Sequence, residues 1–183
     1  MTADNWGALV LVLLAFGLLC AVGAWTRTGR RIWAPAALLV LLAAGIVAAA
    51  PPSVSVEGRG LTTVLVLLAG ALAVAGGGPV TALVFDLVDR REAPPDSMQT
   101  AGRVLRGGAW IGALERGAIL ASLVAGWPEG LAVVLAVKGL GRYPELRAAE
   151  DGVRTGAAER FIIGTFVSVL WACACAAVVV LAR

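Results

Sequence analysis

Long stretches of this chain carry no charge at all. Trp6 to Trp25 has none, nor does Ile32 to Ala50, and Gly60 to Phe85 extends the pattern over 26 residues. A helix needs ~20 predominantly apolar residues, rising ~1.5 Å each, to cross ~30 Å of hydrocarbon, and runs of this length meet that requirement. The whole composition agrees: 60% of the 183 residues are hydrophobic and 15% are charged, against roughly 25% charged in soluble domains. A soluble globule of this size would need more polar surface, so the composition excludes a soluble enzyme, a disordered tail and a nucleic-acid-binding module. The chain reads as an all-α, polytopic transmembrane helical bundle whose first partner is the lipid bilayer.

Six spans are expected. The first is Trp6–Trp25, closed at each end by a Trp, a residue that prefers the membrane interface. The second is Ile32–Ala50, ended by Pro51-Pro52. The third starts at Gly60 and is expected to break near Gly76, because Gly76-Gly77-Gly78-Pro79 favours an interruption. Val80, Leu83, Val84, Leu87 and Val88 then fall on one helical face. This predicts a separate amphipathic helix lying in the interface over 80–91, with a bent continuation of the third span as the alternative. Residues 92–103, with Pro94-Pro95, read as a loop. The fourth span runs from about Val104 to Trp127. The fifth runs from about Pro128 to Tyr143 and is stopped by Pro144. A polar loop over 144–157 and a sixth span, Glu159–Ala182, complete the chain. This divides it into an N-terminal unit, 1–91, and a C-terminal three-span unit, 92–183.

The net charge of +3 is distributed for orientation, with no basic stretch carrying the interleaved aromatics of a nucleic-acid site. In a six-span arrangement the connections after spans one, three and five share one side. Eleven arginines lie there: Arg27, Arg30, Arg31, Arg90, Arg91, Arg103, Arg106, Arg142, Arg147, Arg154 and Arg160. Arg59 and Arg183 fall on the other side. Because cytoplasmic connections are enriched in Lys and Arg, both termini are expected outside the cytoplasm. The first run is preceded by no basic residue, as a secretory signal would require, so it reads as a retained span. Heavy use of Ala, Gly, Val and Arg, with Lys138 the only lysine, suggests a GC-rich bacterial gene and a multi-pass protein of the bacterial plasma membrane.

Three charges do not serve orientation. Glu115, Arg116 and Lys138 fall within spans four and five, where an Arg or Lys at mid-bilayer costs ~2.5–3.5 kcal/mol on insertion scales. Arg116 and Lys138 lie equally far from the Trp127-Pro128 turn. In an antiparallel hairpin they share one level, ~16 Å from that turn, which places the set near the midplane. The structural reading pairs Glu115 with Lys138 and gives Arg116 a carbonyl or a second carboxylate. The functional reading makes the set an ion-responsive site or a polar cavity, since three charges leave one positive charge over and a desolvated Lys can lose its proton. Gly108, Gly112, Glu115, Ile119 and Ser122 follow helical spacing on span four, and small residues there permit close helix approach. Gly164, Ser168 and Ala172 form a second small stripe on span six, with Thr165 beside it. Arg142, Glu159 and Arg160 gather at the expected cytoplasmic edge.

Other motifs carry little. With no His, His-based metal sites and His general-base catalysis drop out; no metal site and no cofactor is expected. Cys20, Cys173 and Cys175 lie in apolar runs and read as inert core residues. The glycine cluster lacks the Gly-Lys-Ser/Thr of a P-loop. Asp86 and Asp89 read as partners of Arg90 on a solvated face. No common hydrolase signature is present.

Three strings nevertheless stand out: WIGALERGAI at Trp110–Ile119, LAVKGLGRYPEL at Leu135–Leu146 and ERFIIGTFVSVLWA at Glu159–Ala172. Together they resemble an uncharacterised bacterial integral-membrane family, a domain of unknown function sharing Ile-Gly-x-Leu-Glu-Arg, Ala-x-Lys and Glu-x-x-x-Ile-Gly-Thr motifs. The resemblance covers roughly residues 104–175 and implies no activity, although it marks the same residues as the membrane-cost argument. The expected function is an assembly, scaffold or regulatory component of a membrane complex, either with a membrane-protein partner or as a homo-oligomer. A small transporter or channel subunit using the Glu/Arg/Lys set is the alternative, and an intramembrane enzyme using Glu115 as a base is the third reading.

Overall fold

The computed structural model describes residues 3–50, 56, 58–92, 108–148 and 151–183. These form six helices, with no strand among the described residues: α1 (Ala3–Gly23), α2 (Arg27–Ala49), α3 (Arg59–Glu92), α4 (Gly108–Val124), α5 (Glu129–Ala148) and α6 (Asp151–Leu181). The protein is an all-α bundle in which four helices are long and apolar enough to cross a membrane: Asn5–Gly23, Thr28–Ala49, Arg59–Val88 and Ala158–Leu181. The α4–α5 hairpin falls outside that class. α4 has 17 residues, and α5 carries Glu129, Lys138, Arg142, Glu145 and Arg147 along its length.

One apolar core joins the two halves of the chain. Leu14 of α1, Leu41 of α2, Leu65 and Leu72 of α3, Leu120 of α4 and Val178 of α6 all belong to it. At one end the α4–α5 turn, the α2–α3 connection and the end of α6 share a level. The Arg183 guanidinium donates to the Val124 carbonyl at 2.5 Å, and the Val56 amide donates to the Ala182 carbonyl at 2.9 Å. Gly126, at φ +76°, supplies the left-handed residue that ends α4. At the other end Thr26 caps α2, its hydroxyl accepting from the Gly29 amide at 3.0 Å. This cap starts α2 five residues before the expected Ile32, and Trp25 falls in the α1–α2 turn.

Three expectations are corrected. The third span does not break at Gly76: α3 continues through Gly76-Gly77-Gly78-Pro79 to Glu92 as one helix. No separate interfacial helix exists over 80–91, and the continuation holds. The glycines serve close approach. A Cβ on Gly76 would stand 2.3 Å from Cζ2 of Trp171, and one on Gly77 would stand 2.3 Å from Cδ of Arg116. Pro144 likewise does not stop α5, which runs to Ala148. Its missing N–H takes a donor only from the carbonyl of exposed Leu140. Finally, α6 starts at Asp151, eight residues before Glu159. The polar composition of 151–158 marks departure from an apolar environment and does not end the helix. The expected loop over 92–103 lies almost wholly outside the described residues.

At ~1.5 Å per residue, the 34 residues of α3 extend about 51 Å, well beyond a ~30 Å hydrocarbon layer. The Trp25 indole donates to the Ala75 carbonyl at 3.2 Å, which puts the α1–α2 turn level with the glycine cluster. Residues 79–92 of α3 run on past that turn. The first part of α6 accompanies them, since a Cβ on Gly164 would lie 3.1 Å from Cζ of Phe85.

If the glycine cluster is a packing platform, adding one methyl group to it is costly. Gly76→Ala and Gly77→Ala should each lose about 1–3 kcal/mol by overpacking. Gly139→Ala, where nothing lies within 4 Å of the added Cβ, should be neutral or gain about 0.5–1 kcal/mol from helix propensity. Thermal unfolding of the purified protein in detergent would separate the two classes.

Candidate functional site

The platform on α3 is built from four consecutive carbonyls. Pro79 has no N–H, so the Ala75 carbonyl one turn earlier has no helical donor. Trp25 supplies one from the α1–α2 turn. The Val74 carbonyl accepts from Nη2 of Arg116 at 2.8 Å. Nε of Arg116 reaches the Ala73 carbonyl at 2.9 Å. The Leu72 carbonyl accepts from the Trp171 indole at 3.1 Å. The residues that would ordinarily stand over these carbonyls are the three glycines and Pro79, whose small side lets planar donors approach the backbone. Sequence reasoning missed this role. Its only signal was the coincidence of a Gly-Gly-Gly-Pro string with Trp and Arg elsewhere in an otherwise apolar chain.

Arg116 is 5% exposed, and its third contact runs from Nη1 to the Ser168 hydroxyl at 3.2 Å. All three acceptors are neutral, so the guanidinium is hydrogen-bonded but not charge-compensated by contact. Hydrogen bonds of this charged kind contribute roughly 1.5–3 kcal/mol each, which offsets part of the cost of burying the ion. Gly112 makes the room: a Cβ there would lie 3.0 Å from Nη1 of Arg116. Gly112, Ile119 and Ser122 are buried on α4 as the stripe predicts, whereas Gly108 is exposed.

Glu115 and Lys138 pair directly, Nζ donating to Oε2. The pair is largely shielded, its side chains 11% and 15% exposed. The other carboxylate oxygen, Oε1, is buried without a hydrogen-bond partner. Lys138 also lies 5.9 Å from the Phe161 ring centroid. The three charges line one cleft. Helical side chains lean toward the N-terminus of their helix, which carries the long Arg116 side chain from α4 toward the α1–α2 turn. Its guanidinium shares a turn of α3 with Trp25.

A cleft of about 420 Å³ opens beside these groups. It gathers most of the residues singled out in the sequence: Glu115, Arg116, Lys138, Arg142, Arg160 and Thr165 face it, as do Gly108, Gly112, Gly164 and Ser168. Glu159 does not line it and is exposed. The structure adds Trp25 and Arg30 from the α1–α2 region and Phe85 from α3. Arg30 lies 3.3 Å from Asp86, so Asp86 meets α2; its expected partner Arg90 lies outside the described side chains. The Arg160 guanidinium stacks 4.9 Å from the Phe85 ring centroid. Cys20 and Cys175 are buried, Cys173 is half-buried, and all three are free thiols. No cluster of three metal-ligating side chains occurs among the described residues. Comparison with family models, curated proteins and solved structures returns no match.

Removing Lys138 should expose the cost of the carboxylate it neutralises. Lys138→Met is expected to destabilise by about 3–5 kcal/mol, the range for breaking a buried pair from one side. The double change Glu115→Gln with Lys138→Met should recover much of that loss. A double-mutant cycle on detergent-solubilised protein measures the coupling.

Proposed function

We propose that this protein is a six-span bacterial plasma-membrane component that acts by binding, as an assembly, scaffold or regulatory subunit. The observation that carries this reading is how the charges close. Glu115 is paired with Lys138, and Arg116 is held by α3 and Ser168. The largest fully buried side chains of the bundle include Leu14, Leu65, Leu72, Ile119, Val10, Val178 and Val179. Buried Ser122 bonds back to the Ile119 carbonyl of its own helix at 2.9 Å. Among the described residues, no titratable chain leads from the cleft through this apolar plug. A transport path would need one, or a rearrangement of the whole core.

The topology is supported in the same way. If α4 and α5 cross as a hairpin, or enter and return, the ends of α3 and the start of α6 stay on one side. The eleven arginines of the odd connections therefore remain together, and both termini remain outside the cytoplasm. The peripheral α5 adds a surface for association. It packs mainly on α4, and Val133, Val137, Leu140 and Tyr143 are 51–75% exposed.

Purification from native membranes in mild detergent is expected to bring down a defined membrane-protein partner or a homo-oligomer. Leu140→Arg should release it while the protein stays folded. Recovery of a lone monomer in several detergents would overturn the reading. So would ion or solute flux in proteoliposomes that is abolished by Glu115→Gln without loss of the fold.

A further inference from the structure

The cleft is amphiphilic in a specific way. Its described lining is rich in cations: Arg30, paired with Asp86; Lys138, paired with Glu115; and Arg116, Arg142 and Arg160. Trp25, Phe85 and Phe161 supply aromatic walls. Its level is that of the α1–α2 turn, marked by the Trp25 bond to Ala75, and an indole at the edge of an apolar helix pair is a marker of the interface. The cleft thus lies where headgroups meet acyl chains. Its volume of about 420 Å³ falls within the ~300–1,000 Å³ of small-molecule sites.

The buried lining atoms without a hydrogen-bond partner include Thr165 Oγ1 and Glu115 Oε1. A threonine hydroxyl on a helix can bond the carbonyl one turn earlier, as Thr81 does to Gly77 at 2.7 Å. Thr165 makes no such bond and keeps its donor for the cleft. A buried donor and a buried acceptor, both unmet inside a cationic pocket, call for a ligand that carries an anion and a hydroxyl together.

We propose that this cleft is a binding site for a phosphate-bearing amphiphile. The phosphate sits among Arg142, Arg160 and the Thr165 hydroxyl, a headgroup hydroxyl meets Glu115 Oε1, and the apolar chain leaves past the aromatic walls. Arg116 contributes field from its fixed position without leaving α3. The chemistry is shared by anionic phospholipids and free phosphate esters. The position at the interface selects the lipid, as for basic pockets between membrane helices. The site stands whether or not a protein partner is found, so its test is independent of the scaffold reading.

Native mass spectrometry of the delipidated full chain, titrated with phosphatidylglycerol, phosphatidylcholine or glycerol phosphate, tests this. One phosphatidylglycerol should be retained per chain, at least tenfold more tightly than phosphatidylcholine. Arg142→Gln with Arg160→Gln should weaken retention by about fivefold per arginine, from the usual contribution of a basic residue to anionic-lipid binding. Thr165→Val keeps the side-chain shape and should weaken it severalfold with the thermal unfolding temperature unchanged. Equal retention of the two lipids overturns the proposal, and so does wild-type retention in folded Thr165→Val together with the folded double arginine variant. Glycerol phosphate competing as well as the lipid assigns the site to a soluble ester and overturns the lipid assignment.

Discussion

A buried guanidinium must find acceptors, and in this bundle it finds them on the backbone of α3. Helix backbones are usually poor hosts for side-chain donors, because their carbonyls are already engaged and flanked by side chains. Gly76-Gly77-Gly78-Pro79 changes both conditions. Pro79 leaves the Ala75 carbonyl without its donor, and the glycines clear space above the carbonyls of Leu72, Ala73 and Val74. Arg116, Trp171 and Trp25 then dock on one turn. Those three residues come from α4, α6 and the α1–α2 turn, so a single turn of α3 ties most of the bundle together.

This arrangement also settles how the charges divide their work. Arg116 is committed to tertiary structure, while Lys138 and Glu115 neutralise each other in the lining of the cleft. In apolar surroundings an ion pair is retained only when its remaining hydrogen-bonding capacity is met. The unmet Glu115 Oε1 and Thr165 Oγ1 leave that requirement open, and both lie in the same cleft. Packing and chemistry thus meet at one end of the bundle, while the other end is filled by aliphatic side chains and turns on Gly126 and Val56.

Much of this was legible in the sequence because membrane helices announce themselves by composition. The lengths of the apolar runs locate α1, α2, the first part of α3 and the latter part of α6. The cost of burying charge singles out Glu115, Arg116 and Lys138, and antiparallel geometry brings Glu115 to Lys138. Of the small stripe on span six, Gly164 faces Phe85 and Ser168 accepts from Arg116. Helix ends were less legible. Pro144 and the glycine cluster carry strong local signals for interruption, yet a helix continues when the carbonyl that Pro leaves belongs to an exposed residue, as at Leu140, or finds another donor, as at Ala75.

The amino-acid sequence by itself therefore determined the class of the molecule, an all-helical membrane protein, and which of its charges are out of place. Those follow from transfer free energies, which depend on residue type and run length alone. Only the tertiary structure decided that Arg116 binds carbonyls of α3 and not a carboxylate. It also decided that Trp25 and Arg30 join the C-terminal residues in one cleft, and that α3 stays whole through four breaker residues. Each of these depends on donors arriving from distant parts of the chain, and no local pattern of a single helix specifies what another helix will bring to it.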